Sequence, residues 1–285
     1  MKIGISIPES LHSPNQLFEW VRRVDQGPFS TLSILDRVVY SNYEPLMTLA
    51  TAAALSTRVR LMTEVLLCPL RNTTLLAKET ATLDVLSKGR LTLGLGVGVR
   101  EDDFIATGAA YQGRGKHIEE QISQMRHIWS GQAWNDTVGP IGPAPVQTNG
   151  PEIILGGFVP RALQRAARYA DGFITALNNH EQIGNTFRSV EQSWKEANRS
   201  GKPRLIAQID IALETHHAGQ GRKNVTDYYK TLPPYDTDKA ATLLTTEQQL
   251  RETIRVVEQL GADEVIFFTW SSEIEQIDRI AGLID

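Results

Sequence analysis

Carboxylates, arginines and glycines gather just past short apolar runs of this sequence, and that placement is where its chemistry is to be sought. After Ile34-Leu35 come Asp36, Arg37 and Tyr40. The run ending at Leu67 carries Glu64 and Val65 and leads to Cys68. Leu93–Phe104 reads LGLGVGVREDDF, with Gly96, Val97, Gly98 and Arg100 past its apolar part. Ile154–Phe173 reads ILGGFVPRALQRAARYADGF, with Gly156, Gly157 and Phe158 at its turn. A carboxyl group can hold or move a proton. An arginine stays charged near neutral pH, so Arg37 cannot serve as a general base, but its planar fork can grip an anion. Alternating glycines remove side chains where another group approaches the backbone closely. Free amides at the helix start after Pro160 can bind a phosphate, and Arg161 adds charge there. Each motif has an ordinary counterpart. Arg100 can pair with Glu101 or Asp102, Glu64 can pair with Arg37, and Arg161, Arg165 and Arg168 can be solvated on one helix face.

Other chemical residue types are less promising. Glu214, His216 and His217 are metal-ligand types, but adjacent residues of an extended segment point to opposite faces, so no metal site is expected. His117 and His127 fall in a helix, His180 at a strand end is a weak proton-relay candidate, and His12 lies in the first loop. Nothing near Cys68 lowers its pKa, so it is not expected to be a nucleophile. Trp270 follows the last strand and can form a wall of a substrate pocket.

The elements that must position these residues form a repeat. Apolar runs at Lys2–Ile7, Thr31–Leu35, Val59–Leu67, Arg90–Leu95, Glu152–Leu155, Gly172–Thr175, Arg204–Ile211 and Asp263–Phe268 read as strands buried on both faces. Helical spacing separates them at Asn15–Val24, Leu46–Leu55, Thr73–Leu86, His117–Trp129, Arg161–Tyr169, Thr186–Asn198, Thr246–Leu260 and Glu273–Ile284, with Gly89 as a stop. Eight strand–helix units predict a TIM barrel as one domain over 1–285, and the number of units favours it over an open doubly wound sheet. In that fold the active site lies at the C-terminal ends of the strands, where the motifs above fall. Gly131–Gly150 and Ala212–Thr245 break the repeat and are expected as loops, the second helping to close the pocket.

Composition excludes other classes. The chain has 285 residues, 41% of them hydrophobic, and a formal net charge of -4 without a long basic run, so no nucleic-acid partner is expected. One cysteine excludes an internal disulfide. No run is long enough for a membrane span, and the N-terminal MKIGISIPES lacks a signal-peptide core. A cytoplasmic protein is expected.

Taken in order, KIGISIP, SILDRVVY, the stretch from TAAALSTRVRLMTEVLLCPL to LGLGVGVREDDF, RGKHIEEQISQMRHIWSG, GGFVPRALQRAARYADGF and the late QLGADEVIFF resemble the bacterial luciferase-like flavin-dependent oxidoreductases. The resemblance implies a TIM barrel that holds FMN, or the deazaflavin coenzyme F420, at its mouth. The phosphate is implied near Gly156 and Gly157 with Arg100 as a second anchor, and the ring over the end of strand three, where the Glu64–Val65 bond is implied to be cis; Gly96, Val97, Gly98 and Phe158 are further cofactor-binding candidates. Asp36 matches an acidic position of the family. Its neighbour departs from the pattern, since the family's frequent histidine is here Arg37. Catalytic roles are thus expected from Asp36, Arg37 and Glu64. The resemblance implies a monooxygenase using reduced FMN on a small organic substrate, with a separate flavin reductase as a partner and a homodimer formed through helices near strands two to four. Hydride transfer with F420 is the alternative, and a non-catalytic flavin-binding or partner subunit is an alternative of another class.

Overall fold

The computed structural model describes residues 1–11, 13–214, 219–230 and 239–284. His12, His216 and His217 lie outside the described residues. Eight parallel strands close in sequence order: β1 (Lys2–Ser6), β2 (Thr31–Ile34), β3 (Arg60–Leu67), β4 (Leu91–Gly96), β5 (Glu152–Gly156), β6 (Gly172–Ala176), β7 (Arg204–Ile211) and β8 (Glu264–Thr269), with β8 pairing β1. The chain thus folds as the expected TIM barrel, and every strand boundary falls within one residue of the sequence reading. Ten helices are described: α1 (Pro14–Gln26), α2 (Pro45–Leu55), α3 (Thr73–Leu86), α4 (Glu101–Thr107), α5 (Arg114–Trp129), α6 (Pro160–Tyr169), α7 (His180–Glu196), α8 (Gln220–Tyr229), α9 (Glu247–Gln259) and α10 (Glu275–Ala281).

Local chemistry explains several boundaries. Ser13, Asn72, Asn179 and Thr246 cap α1, α3, α7 and α9 by accepting a first-turn amide. Pro14, Pro45 and Pro160 open their helices, where a missing N–H costs nothing. The expected stop after α3 is present. Gly89 has φ 78° and donates its amide to the Asp84 carbonyl at 2.8 Å. The structure corrects the reading of Ala212–Thr245 as loop, because the segment contains α8. That helix is short and starts from Gly219, and its apolar side chains Val225, Tyr228 and Tyr229 make too brief a stripe to announce it. α4, seven residues long, carries no such stripe either. No helix among the described residues is long and apolar enough to cross a membrane.

The barrel interior is filled in layers. At its N-terminal end Glu152 accepts from Arg204 and from Thr92 (2.9 Å), Arg204 also reaches Glu264, and Arg60 donates to Thr92 at 3.0 Å. Above lies an apolar layer of Met62, Ile154, Ile174, Ile206 and Ile266, with Val65 packed on top. Burying these side chains contributes about 1.5–3 kcal/mol each before entropy is counted. The ring of charges is tolerable beneath them because each charge is paired.

Candidate active site at the barrel mouth

Strand alternation decides what the mouth contains. Interior positions on β5, β6 and β7 above Ile154, Ile174 and Ile206 are Gly156, Ala176 and Gln208. All three are half-buried although they face inward, and so is Val65. This side of the mouth is floored by Val65, Gly156 and Ala176, with Gln208 beside them.

The Glu64–Val65 peptide is cis, as the resemblance implied, and the β3–β4 register shifts between Thr63 and Leu66. The shift turns Val65 inward over the apolar layer. The flanking glycines make room for it. A Cβ on Gly96 would lie 2.5 Å from Val65 Cγ2, and one on Gly156 would lie 3.3 Å from Val65 Cγ1. Gly96 and Gly156 thus serve the floor itself. Gly157 has a different neighbour: its Cβ would meet that of Ala162 at 2.5 Å, so its small size lets α6 start close to β5. α6 has no side-chain cap, Phe158 and Val159 are exposed before it, and Arg161 is exposed in its first turn.

Glu64 immediately precedes Val65 on β3. It is fully buried, and one carboxyl oxygen accepts from the Ser33 hydroxyl while the other has no partner among the described residues. Burial pushes its pKa well above the usual carboxylate value; the Ser33 bond opposes this, and Asp210 and Glu264 add to it. The pairing with Arg37 does not occur. A prediction follows. An acid that keeps its proton in the folded state and loses it in the unfolded chain makes stability fall as pH rises above about 4.5. Glu64→Gln removes that contribution, and urea midpoints measured from pH 5 to 8 should decline less in the variant. An equal decline would mean that Glu64 is ionised in the folded protein.

Asp36 is buried and occupied. It accepts from the Leu67 amide at 2.8 Å and from Arg71 at 3.0 Å, which fixes the chain just past the cis bond. Burial raises its pKa against the opposing effect of Arg71. Arg37 binds Asp103 through Nε at 2.7 Å and lies 5.6 Å from the Tyr228 ring centre. Burial works against its charge, but Tyr228 and Asp103 outweigh it and hold its pKa up. Arg100 donates to the Tyr228 carbonyl and stacks 4.6 Å from that ring. Its fork is therefore engaged with α8.

The other side of the mouth is aromatic. Tyr228 of α8 meets Tyr40 edge-on at 5.1 Å and Trp270 at 5.3 Å, and Trp270 donates its indole N–H to Asp210 at 3.0 Å. Lys239 pairs with Asp210 at 2.9 Å. A cavity of about 310 Å³ lies beside this cluster, walled by Glu9, Leu11, Tyr40, Asn224 and Trp270. Trp270 is thus a pocket wall, one of the roles open to it from sequence. Glu9, Asp103 and Tyr228 were not singled out. The strand-end rule that selects Asp36 also selects Glu9 past β1, so that signal was present. Asp103 and Tyr228 gain their roles only from helices α4 and α8. His180 is turned away, toward Thr253 at 3.3 Å, and burial pushes the Cys68 thiol up to about 12.

This geometry can be set beside known proteins. Residues 1–242 match the family described as luciferase-like monooxygenase. An uncharacterized protein of Mycobacterium tuberculosis is 28% identical over 243 residues, covering 82% of this chain and 84% of its own. The FMNH(2)-dependent dimethylsulfone monooxygenase of Pseudomonas putida is 24% identical over 248 residues, covering 72% and 68%. Among solved structures, monooxygenase RslO1 from Streptomyces bottropensis superposes with a TM-score of 0.82 at 22% identity, over 100% of this chain and 98% of that one. An F420-dependent secondary alcohol dehydrogenase also superposes at 0.82, with 16% identity over 99% and 98%. With its closed eight-stranded barrel, the Val65 floor at the mouth and the family match over most of its length, the chain belongs to the luciferase-like monooxygenase family, whose members are flavin- or F420-dependent oxidoreductases.

Proposed function

We propose that this protein is a monooxygenase that uses reduced FMN on a small organic substrate. The observation that carries the reading is the floor of the mouth. Val65 stands on the cis bond between Gly96 and Gly156, with half-buried Ala176 and Gln208 beyond, a surface on which a flat ring can lie. The residues fit such a group at its other end too. The uncapped first turn of α6 with exposed Arg161 suits a phosphate, beside Gly157 and Phe158. Bound there, reduced FMN supplies hydride or activates oxygen.

The chain's own residues then have definite tasks. Val65 would support the flat ring, and Asp36 holds the following segment through Leu67 and Arg71. Val97 and Gly98 continue the wall past β4, and Glu64, whose pKa burial pushes up, stands next to Val65 on β3. α8 covers the aromatic side and excludes water. Arg37 keeps its charge and supports that cover, so the proton chemistry falls to carboxyl groups. A homodimer and a separate flavin reductase belong to the same reading. Exposed Met47 on α2, Leu75 and Leu86 on α3 and Ile105 on α4 support the dimer.

The test is a titration of the protein with FMN and, separately, with F420, following quenching of cofactor fluorescence. Saturable binding of FMN alone is expected. Binding of F420 alone would replace the reading with deazaflavin-linked hydride transfer, and binding of neither would leave a partner subunit.

A further inference from the structure

We infer that Glu9 is a substrate-recognition residue, whose carboxyl group donates a hydrogen bond to the carbonyl oxygen of a neutral small molecule seated among Leu11, Tyr40 and Trp270. The inference rests on the oxidoreductase reading for its place in the mouth, but not on which cofactor binds. Three observations carry it. First, both carboxyl oxygens of Glu9 are buried and neither makes a hydrogen bond of good geometry among the described residues; the Tyr40 hydroxyl comes near enough to oppose the rise of its pKa but leaves the second oxygen unmet. Buried polar atoms are nearly always satisfied, so a carboxyl with an unmet oxygen calls for a group that is not part of the chain. Second, Glu9 forms part of the wall of the 310 Å³ cavity, at the small end of the range for small-molecule sites, roughly 300–1,000 Å³. Third, the other walls are half apolar or aromatic, from Leu11, Tyr40 and Trp270, and half neutral and polar, from Ser10, Ser41 and Asn224, with no second charge, which suits a small uncharged body carrying a polar atom.

The surroundings fix the protonation state. Arg37 and Arg100 stand on one side, and Asp210, Tyr40, Tyr228 and Tyr229 complete the shell. Both arginines are already engaged, Arg37 by Asp103 and Arg100 by the Tyr228 carbonyl. Burial pushes the Glu9 pKa up to about 8, against Arg37 and with Asp210. At neutral pH the group therefore carries its proton and is a donor. A carbonyl oxygen accepts from it, whereas a carboxylate ligand would have to pair with an already satisfied arginine. The cavity beside Tyr40 and Trp270, whose wall Glu9 shares, is where the ligand would be seated.

The test uses the full chain without cofactor, so that it stands apart from the flavin titration. Cyclohexanone and cyclohexanecarboxylate are titrated into wild type, Glu9→Gln and Glu9→Ala at pH 6 and pH 9.5, followed by tryptophan fluorescence and by infrared difference spectra of the carboxylic-acid stretch. The ketone is expected to bind wild type at pH 6 and to shift a band that Glu9→Gln lacks. Its affinity should fall about thirtyfold at pH 9.5, as the protonated fraction falls. Glu9→Gln, which keeps a donor, should bind at both pH values, and Glu9→Ala at least tenfold more weakly. Equal binding by wild type and Glu9→Ala, preference for the carboxylate, or no ketone-dependent change in wild type would each overturn the inference, whatever the flavin titration shows.

Discussion

Gly96→Ala is expected to weaken FMN binding at least tenfold while leaving the barrel folded. The added Cβ would sit 2.5 Å from Val65 Cγ2, so the valine side chain must give way. It has little freedom to do so downward, where Met62, Ile154 and the other apolar residues fill the interior. Its backbone is pinned on the far side by the pairing of Leu66 with Leu95 and Leu67 with Gly96. The side chain must rise into the space proposed for the ring. Overpacking of this kind costs about 1–3 kcal/mol, and about 1.4 kcal/mol expressed in binding is a factor of ten. Thermal stability should fall by only a few degrees, since each kcal/mol shifts the midpoint of a large domain by about 2–4 °C. The repair is specific. Adding Val65→Ala removes the atom in the way, so the double variant should recover most of the affinity, a coupling that independent sites would not show. Cofactor titration and thermal unfolding of the four proteins check it. Unimpaired binding by Gly96→Ala would move the ring off this floor.

Asp103→Ala should be the most destabilising single change among the charged residues of the mouth. This carboxylate takes Arg37 Nε at 2.7 Å with one oxygen and the amides of Val38 and Val39 at 3.1 and 2.8 Å with the other. Its side chain is 1% exposed and that of Arg37 is 5% exposed, so water cannot replace the lost partner. Breaking a buried pair from one side costs about 3–5 kcal/mol, because the remaining charge is stranded. The unfolding midpoint should drop by roughly 10 °C. The loop after β2 and the Tyr228 contact both rest on Arg37, so limited proteolysis should cut within α8 earlier than in wild type. Removing the stranded charge as well, in Asp103→Leu with Arg37→Leu, should restore part of the loss. A single-variant cost below about 1 kcal/mol would show that Arg37 finds another partner, with Asp102 at 3.5 Å the first candidate.

The barrel was legible from the chain because its strands are buried on both faces. Runs such as Val265–Phe268 in β8 are then continuous in apolar character and stand out from the helices between them. The floor of the mouth was legible too, since a resemblance fixed Val65, Gly96 and Gly156 by order and spacing. What stayed hidden were relations across the mouth. Arg37 is a charged residue beside Asp36 in sequence, yet its partner Asp103 is 66 positions away, on a seven-residue helix with no clear periodicity. Gly157 reads as a place for close approach, and close approach does occur, but by Ala162 of its own chain. Glu9 follows a strand like every other candidate. Only the packing of α8 shows that its carboxyl group is enclosed and not fully partnered, because α8 comes more than two hundred residues later.

The interior charges at the far end of the barrel have a consequence for proton traffic. Arg60, Glu152, Arg204 and Glu264, roofed by methionine and isoleucine, stopper the tube. A stoppered tube exchanges with solvent from one end alone. Glu64 lies on the mouth side of that stopper, so a proton it gains or loses passes on the mouth side, and a ring seated over Val65 would narrow that route. Deuterium would then enter the interior carboxyl group more slowly once the cofactor is bound. The barrel would thus hold a proton in storage for as long as its mouth is occupied.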